Sequence, residues 1–143
     1  MFMGEYLHNI DAKGRVIVPS KLRDGLGNKF IVTKGLDRCL TAYTLEEWAA
    51  FQEKIAQLPM SNQDARKFIR YFFAGACECE TDNQGRVMIP PNLREHAGLE
   101  KNIVSIGVAN KVEIWNRETW ESYNDEENFV DVDLAEKMAE FGI

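Results

Sequence analysis

D11-A-K-G-R-V-I-V-P19 and D82-N-Q-G-R-V-M-I-P90 are one stretch written twice. Each sets an aspartate three residues before a Gly-Arg pair, then an apolar run, then proline. Glycine supplies the positive φ that a tight turn demands. The aspartate side chain can accept from backbone N–H groups two or three residues on and hold the turn in shape. The apolar run reads as a strand, and proline ends it because it cannot donate to a ladder. Arg15 and Arg86 therefore each begin a strand beside a turn tip.

The repetition extends outward from this stretch. A shift of 71 positions brings Asp11, Gly14, Arg15, Val16, Pro19, Leu22, Arg23 and Gly27 onto Asp82, Gly85, Arg86, Val87, Pro90, Leu93, Arg94 and Gly98. With one extra residue, Ile31-Val32 meets Ile103-Val104, and Gly35 meets Gly107. Tyr43, Glu46 and Trp48 likewise meet Trp115, Glu118 and Trp120. Matches in order over about fifty residues mark an internal duplication.

Each copy reads the same way. An alternating strand, EYLHNI or ACECET, leads into the turn. After the proline comes a short helix, SKLRDGL or PNLREHAGL, with Ser20 as N-cap of the first and Pro91 in the first turn of the second. Two strands follow, KFIVTKG and CLTAYT, matched by NIVSIGV and KVEIWN and joined by tight hairpins at LDR and AN. Thr44-Leu-Glu-Glu47 is a capping box for a helix running to about Leu58 and stopped by Pro59. Ser61-x-x-Asp64 opens another that ends near Gly75. Asn116 caps RETWESYN. A polar, loosely held DEENFVDV precedes a last short helix, DLAEKMAEF, from Asp133. The chain thus divides into a first repeat with its helix (1–58), a connecting helix (59–75), a second repeat with its helix (76–124) and an acidic tail (125–143).

A unit of roughly fifty residues struggles to bury a core alone. Two copies can solve this by pairing about a pseudo-twofold axis, their strands interleaved into one small barrel with few open edges. The expected fold is α+β, in one compact domain.

The chain has 143 residues, 45% of them apolar, which is enough for a real core. No apolar run approaches the ~20 residues of a spanning helix. MFMGEYLHNID lacks the basic start and apolar stretch of a signal peptide, so the cytoplasm is the expected location. Cys39, Cys77 and Cys79 form no disulfide framework. Cys77-x-Cys79 has no second pair, and the only histidines are His8 and His96. Buried, inert thiols are expected rather than a metal site, and no cofactor. The net charge of −6 is unevenly spread: residues 113–143 hold ten acids and two bases, so residues 1–112 hold thirteen and fifteen. A mildly basic body carries an acidic tail, and local charge governs an anionic partner.

A single Asp-x-x-Gly-Arg turn reads most simply as a hairpin whose arginine pairs with its aspartate. Two on a pseudo-twofold scaffold present a matched pair of arginines, with Lys13 in one turn and Gln84 in the other. His8, Lys21 and Arg23 lie near in sequence, and Arg94 matches Arg23. Such side chains grip phosphates and read base edges. One bidentate arginine contributes ~1–3 kcal/mol of discrimination, too little alone, but several subunits can add their contacts. Catalysis is not expected: neither histidine recurs in the other copy, and the turn acids already hold the turns. An antitoxin-like protein-interaction module is the alternative, with the acidic tail engaging a basic partner.

The two D-x-x-G-R stretches with V-I-V-P and V-M-I-P after them, the opening MFMGEYLHNID and the segment RKFIRYFFAGACE resemble the MraZ family, bacterial regulators built from two AbrB-like (SpoVT–AbrB) units. The resemblance spans essentially the whole chain. It implies a double-split β-barrel of two pseudo-twofold related units with flanking helices, assembled into a ring-shaped homo-oligomer. It further implies a transcriptional regulator that binds double-stranded DNA at direct repeats upstream of its own division and cell wall operon and associates with the nucleoid. The DNA-binding residues would be Lys13, Arg15, Gln84 and Arg86, in turns shaped by Asp11, Gly14, Asp82 and Gly85. The copies differ at Ala12/Asn83 and Lys13/Gln84, so their contacts need not be equivalent. Because DNA is stiff on this scale, the ring is expected to distort or open while the DNA bends less. The apolar face of RKFIRYFFAG, with Phe68, Ile69, Phe72 and Phe73, fits either a core helix or a subunit interface.

Overall fold

The expected strands and helices form in chain order in a computed structural model, which describes residues 1–125 and 130–142. The first copy comprises β1 (Glu5–Asn9), β2 (Arg15–Ile17), α1 (Ser20–Leu26), β3 (Lys29–Lys34), β4 (Leu40–Thr44) and α2 (Leu45–Ala56). After α3 (Gln63–Gly75), the second comprises β5 (Cys77–Glu80), β6 (Arg86–Met88), α4 (Pro91–Ala97), β7 (Asn102–Gly107), β8 (Val112–Asn116) and α5 (Arg117–Tyr123). Helix α6 (Val132–Met138) and a 3₁₀ turn (Ala139–Phe141) follow in the tail.

The copies interleave. Six strands pair antiparallel in the order β1-β7-β8-β4-β3-β5, and β2 pairs with β6 in a separate two-stranded ribbon. The first strand of each copy thus adds to the third strand of the other. The ladder does not close into a barrel. Between sheet and ribbon the strand pairing thins to an isolated bridge, Ile10↔Val16, because each chain turns sharply at its aspartate before the ribbon begins.

The strand register corrects the sequence alignment by one residue. Leu7 pairs with Val104 and Ile31 pairs with Glu78. Moving Leu7↔Val104 into the other copy reproduces Ile31↔Glu78 only if β7 is displaced from β3 by 73 positions. Phe30 and Ile31, not Ile31 and Val32, therefore match Ile103 and Val104. The extra residue is recovered in the β7–β8 hairpin, since Thr41 pairs with Glu113, a displacement of 72. The physical reason is the side-chain period of two: a one-residue slip would turn Phe30 and Ile103 out of the core.

The main core lies between the ribbon, α1 and α4 on one side and the sheet on the other. Val16 and Val87 point into it from the ribbon, Leu22 and Leu93 from the helices, and Phe30, Val32, Ile103 and Val112 from the sheet. The opposite face of the sheet carries two smaller clusters. Ile31, Tyr43 and Trp48 pack with Phe51 and Phe73 under α2 and α3, and Val104 and Trp115 pack with Trp120 under α5. Phe72 is buried and Phe73 lies 5.1 Å from Trp48, ring centre to ring centre, so these two belong to the fold, whereas Phe68 is exposed.

Several helix starts differ from expectation. Ser20 is the first helical residue and Pro19 precedes it without a side-chain cap. Helix α3 is capped one residue later than expected, by Asn62, whose Oδ1 accepts from Ala65 N. The Asn116 side chain does not cap α5 but accepts from Glu100 N at 3.0 Å, across the β8–α4 corner. Helix α6 begins at Val132 with Asp131 as cap. Thr44 caps α2 as the capping box requires, through Glu47 N at 3.0 Å. Within the stretch expected to be loosely held, Glu126 to Phe129 lie outside the described residues.

Candidate nucleic-acid interface

Both Gly-Arg turns adopt the same bond pattern. Asp11 Oδ1 accepts from Lys13 N and Arg15 N, each at 2.9 Å, and Oδ2 accepts from Arg15 Nε at 2.7 Å. Asp82 accepts from Gln84 N and Arg86 N, each at 2.9 Å, and from Arg86 Nε at 2.8 Å. The backbone closes each turn: Gly14 N donates to Asp11 O and Gly85 N to Asp82 O, each at 3.0 Å. Gly14 sits at φ 84° and Gly85 at φ 74°, in the region that other residues avoid. The bond from Arg15 N is the leading cause that holds the Asp11 carboxyl below its usual pKa, and Arg86 N does the same for Asp82. Both aspartates therefore stay charged well into the acid range.

The simple pairing of arginine with its own aspartate is present in both turns, and it occupies only Nε. No hydrogen bond runs from the Nη atoms of Arg15 or Arg86 to a described residue. The Arg15 and Arg86 side chains are about one-third exposed, at 32% and 29%. Each aspartate therefore fixes the arginine stem and leaves the outer fork of donors available.

The ribbon decides where those forks point. Arg15 is paired with Met88, Val16 with Val87 and Ile17 with Arg86. Alternation sends Val16 and Val87 inward and leaves Arg15, Ile17, Arg86 and Met88 on one outer face. The arginines are thus diagonal neighbours, interleaved with two exposed apolar side chains, Ile17 and Met88. Lys13 and Gln84 are exposed at the two turn tips, at opposite ends of the ribbon. All four residues expected from the sequence are brought to one ribbon with its turns.

Sequence reasoning noted the match of Arg23 to Arg94 but assigned neither a task. Arg94 of α4 lies against Gly14, and Arg23 of α1 lies against Gly85: a Cβ built on Gly14 would fall 2.7 Å from Arg94 Cζ, and one on Gly85 2.9 Å from Arg23 Cζ. Beside the first turn runs a groove of about 440 Å³, lined by Asp11, Ala12, Arg94 and Lys101 among others. Its counterpart of about 420 Å³ is lined by Asp82, Asn83, Gln84 and Arg23. The one usable sequence signal was the recurrence of an arginine at the same helix position in both copies.

The thiols make no candidate centre. Burial pushes Cys39 and Cys79 up to about 12, so both are protonated at neutral pH, while Cys77 is half-buried rather than buried. No group of three or more His, Cys, Asp or Glu among the described residues is placed to hold a metal ion. No helix among them is long and apolar enough to cross a membrane.

Fold and site together define a duplicated α+β protein whose two units exchange strands and present paired Gly-Arg turns from one ribbon. The family described as "MraZ protein, putative antitoxin-like" matches twice, over residues 1–71 and 72–140. The chain is 59% identical to "Transcriptional regulator MraZ" of Acetivibrio thermocellus and 60% identical to the protein of that name from Clostridium beijerinckii, with all of each chain covered. It is 54% identical, again over the full length of both, to that of Alkaliphilus metalliredigens. The chain belongs to the MraZ family.

Proposed function

We propose that this protein is a sequence-specific DNA-binding transcriptional regulator that lays its β2–β6 ribbon on duplex DNA. The observation that supports this is the shared outer face: Arg15 and Arg86 are diagonal neighbours across the ribbon, each anchored through Nε with its Nη donors unbonded to described residues. The major groove of B-DNA admits a two-stranded β-ribbon, and an arginine fork matches guanine O6 and N7. Exposed Ile17 and Met88 between the arginines suit the apolar methyl of thymine. Lys13 and Gln84 at the ribbon ends reach phosphates or base edges. Full-length relatives that bear the name of a transcriptional regulator, rather than an enzyme, agree with this reading.

The finer reading has three parts. The DNA is a set of direct repeats upstream of the protein's own division and cell wall operon, bound in the cytoplasm at the nucleoid. The chain acts as a ring-shaped homo-oligomer, which multiplies modest contacts through effective concentration; edge strand β1, with Leu7 exposed, offers a surface for self-association. The ring distorts or opens on the DNA. We read the exchange of first strands between copies as the topology of a double-split barrel left open beside the ribbon, where strand pairing thins to the Ile10↔Val16 bridge. The four stretches 1–58, 59–75, 76–124 and 125–143 serve one compact domain.

The test is a gel shift with the upstream duplex. Arg15→Ala should remove most of the affinity and Arg86→Ala should weaken it, about 1–3 kcal/mol for each lost bidentate contact, with the oligomer mass unchanged. The wild-type log–log salt slope should be about −0.9 for each phosphate neutralised. Unchanged affinity in the double variant would overturn the assignment and favour a protein-interaction module.

A further inference from the structure

Each Gly-Arg turn, closed from within by its own aspartate, is also gripped from outside by the other copy. Gly14 O accepts from Ile89 N at 2.9 Å, and Gly85 O accepts from Val18 N at 3.1 Å. The same two glycines are covered by Arg94 and Arg23, again crosswise. Gly14 and Gly85 are buried although the aspartates of their turns are exposed. In both turns a guanidinium of the other copy occupies the space that a β-carbon on the glycine would fill. One strand end and one helix residue of the second copy therefore hold the first turn, and the first copy holds the second turn in return.

Arg94 Nε is buried and has no hydrogen-bond partner among the described residues. A buried donor left without an acceptor costs stability, so stability alone does not account for this placement. This arginine lines the groove beside the first turn, and Arg23 lines the opposite groove. Both side chains leave helices whose inner faces, at Leu22 and Leu93, are fixed in the main core. Each turn thus rests on a rigid support that belongs to its twin.

We propose that Arg23 and Arg94 are positioning residues for DNA recognition. Each crosses the pseudo-twofold axis and sets the place of the other copy's turn, so that Arg15 answers to Arg94 and Arg86 answers to Arg23. The two turns then move as one body, and the spacing of the two arginine forks is held constant while the ring adapts to DNA. The recognition part rests on the function proposed above; the crossed support does not.

Two measurements separate them. Hydrogen–deuterium exchange on the DNA-free protein reads the support directly. Arg94→Leu should speed exchange of the Gly14 and Arg15 amides about tenfold while Gly85 and Arg86 stay protected, as expected for losing a local restraint and not global stability. Arg23→Leu should do the reverse. If Arg94→Leu does not fold, Arg94→Lys, which keeps stem and charge but not the plane, takes its place with the same crossed pattern. Acceleration in the variant's own copy, in both turns equally, or in neither overturns the proposal. Gel shifts with the upstream duplex then give double-variant cycles: Arg15→Ala with Arg94→Leu should be non-additive by about threefold to tenfold, and Arg15→Ala with Arg23→Leu additive. Crossed exchange with additive binding throughout would overturn the positioning role alone. Crossed exchange with no DNA binding by the wild type would sink the function proposed above and leave the support standing.

Discussion

Val16 faces Val87 across the β2–β6 ribbon, and the two are the same residue of the repeat, 71 positions apart. A pair of equivalent residues can face each other only on the axis that relates the copies. Thr41 and Glu113, 72 positions apart, mark where the same axis leaves through the sheet. The main core is strung between these two points, so it belongs to neither copy alone. That is the physical answer to a unit too small to bury a core: each copy's ribbon strand, helix and first sheet strand are completed by the other.

Leu22→Ala and Leu93→Ala should therefore be about equally damaging. Both side chains are almost wholly buried in the shared core, at 2% and 0% exposure. Each truncation should cost about 2–5 kcal/mol in urea unfolding, within a single transition for the whole chain. Two transitions would mean that the copies fold as separate units.

Gly14→Ala tests the turn itself. A left-handed backbone costs a residue with a β-carbon about 1–2 kcal/mol, and here the new carbon also meets the Arg94 guanidinium. Stability should fall by at least that amount, and Gly142→Ala, left-handed at φ 83° but with open space around it, should cost less. Denaturant midpoints of the two variants compare them directly.

Acid should weaken the fold through its histidines. His8, half-buried against Ser105 Oγ at 2.7 Å, has its pKa lowered chiefly by desolvation, and so has His96 beside Tyr71. The unfolded chain, with imidazoles near 6.5, therefore takes up protons first as pH falls. The histidine contribution is fully present at pH 7.5, declines as pH drops through about 6.5, and stops declining below the folded imidazole values. Urea unfolding at pH 7.5 and 5.5 should show the loss, and His8→Gln with His96→Gln should flatten it.

Asn116 offers a separate check on the difference between a helix cap and a corner tie. Since its Oδ1 receives Glu100 N, Asn116→Ala should cost about 1–3 kcal/mol, the range for stranding a donor left without its partner, and should deprotect the Glu100 amide. Fraying confined to the first turn of α5 would instead restore the capping role read from the sequence.

The turns were legible because their causes are local. Asp11 bonds residues two and four positions on, Gly14 needs only its own φ, and Pro19 ends a strand by itself. The duplication was legible for the same reason, since identity at a fixed spacing needs no coordinates. What the sequence by itself determined, then, was two matching turns, their glycines and acids, and the order of elements around them. Tertiary structure alone decided that β7 matches β3 at 73 positions rather than 72, that the strands stop short of a closed barrel, and that Arg94 covers Gly14 while Arg23 covers Gly85. Those facts depend on which side chains reach the shared interior when two copies pack. A one-residue slip leaves every local preference intact and reverses every face, so only the packed core can choose.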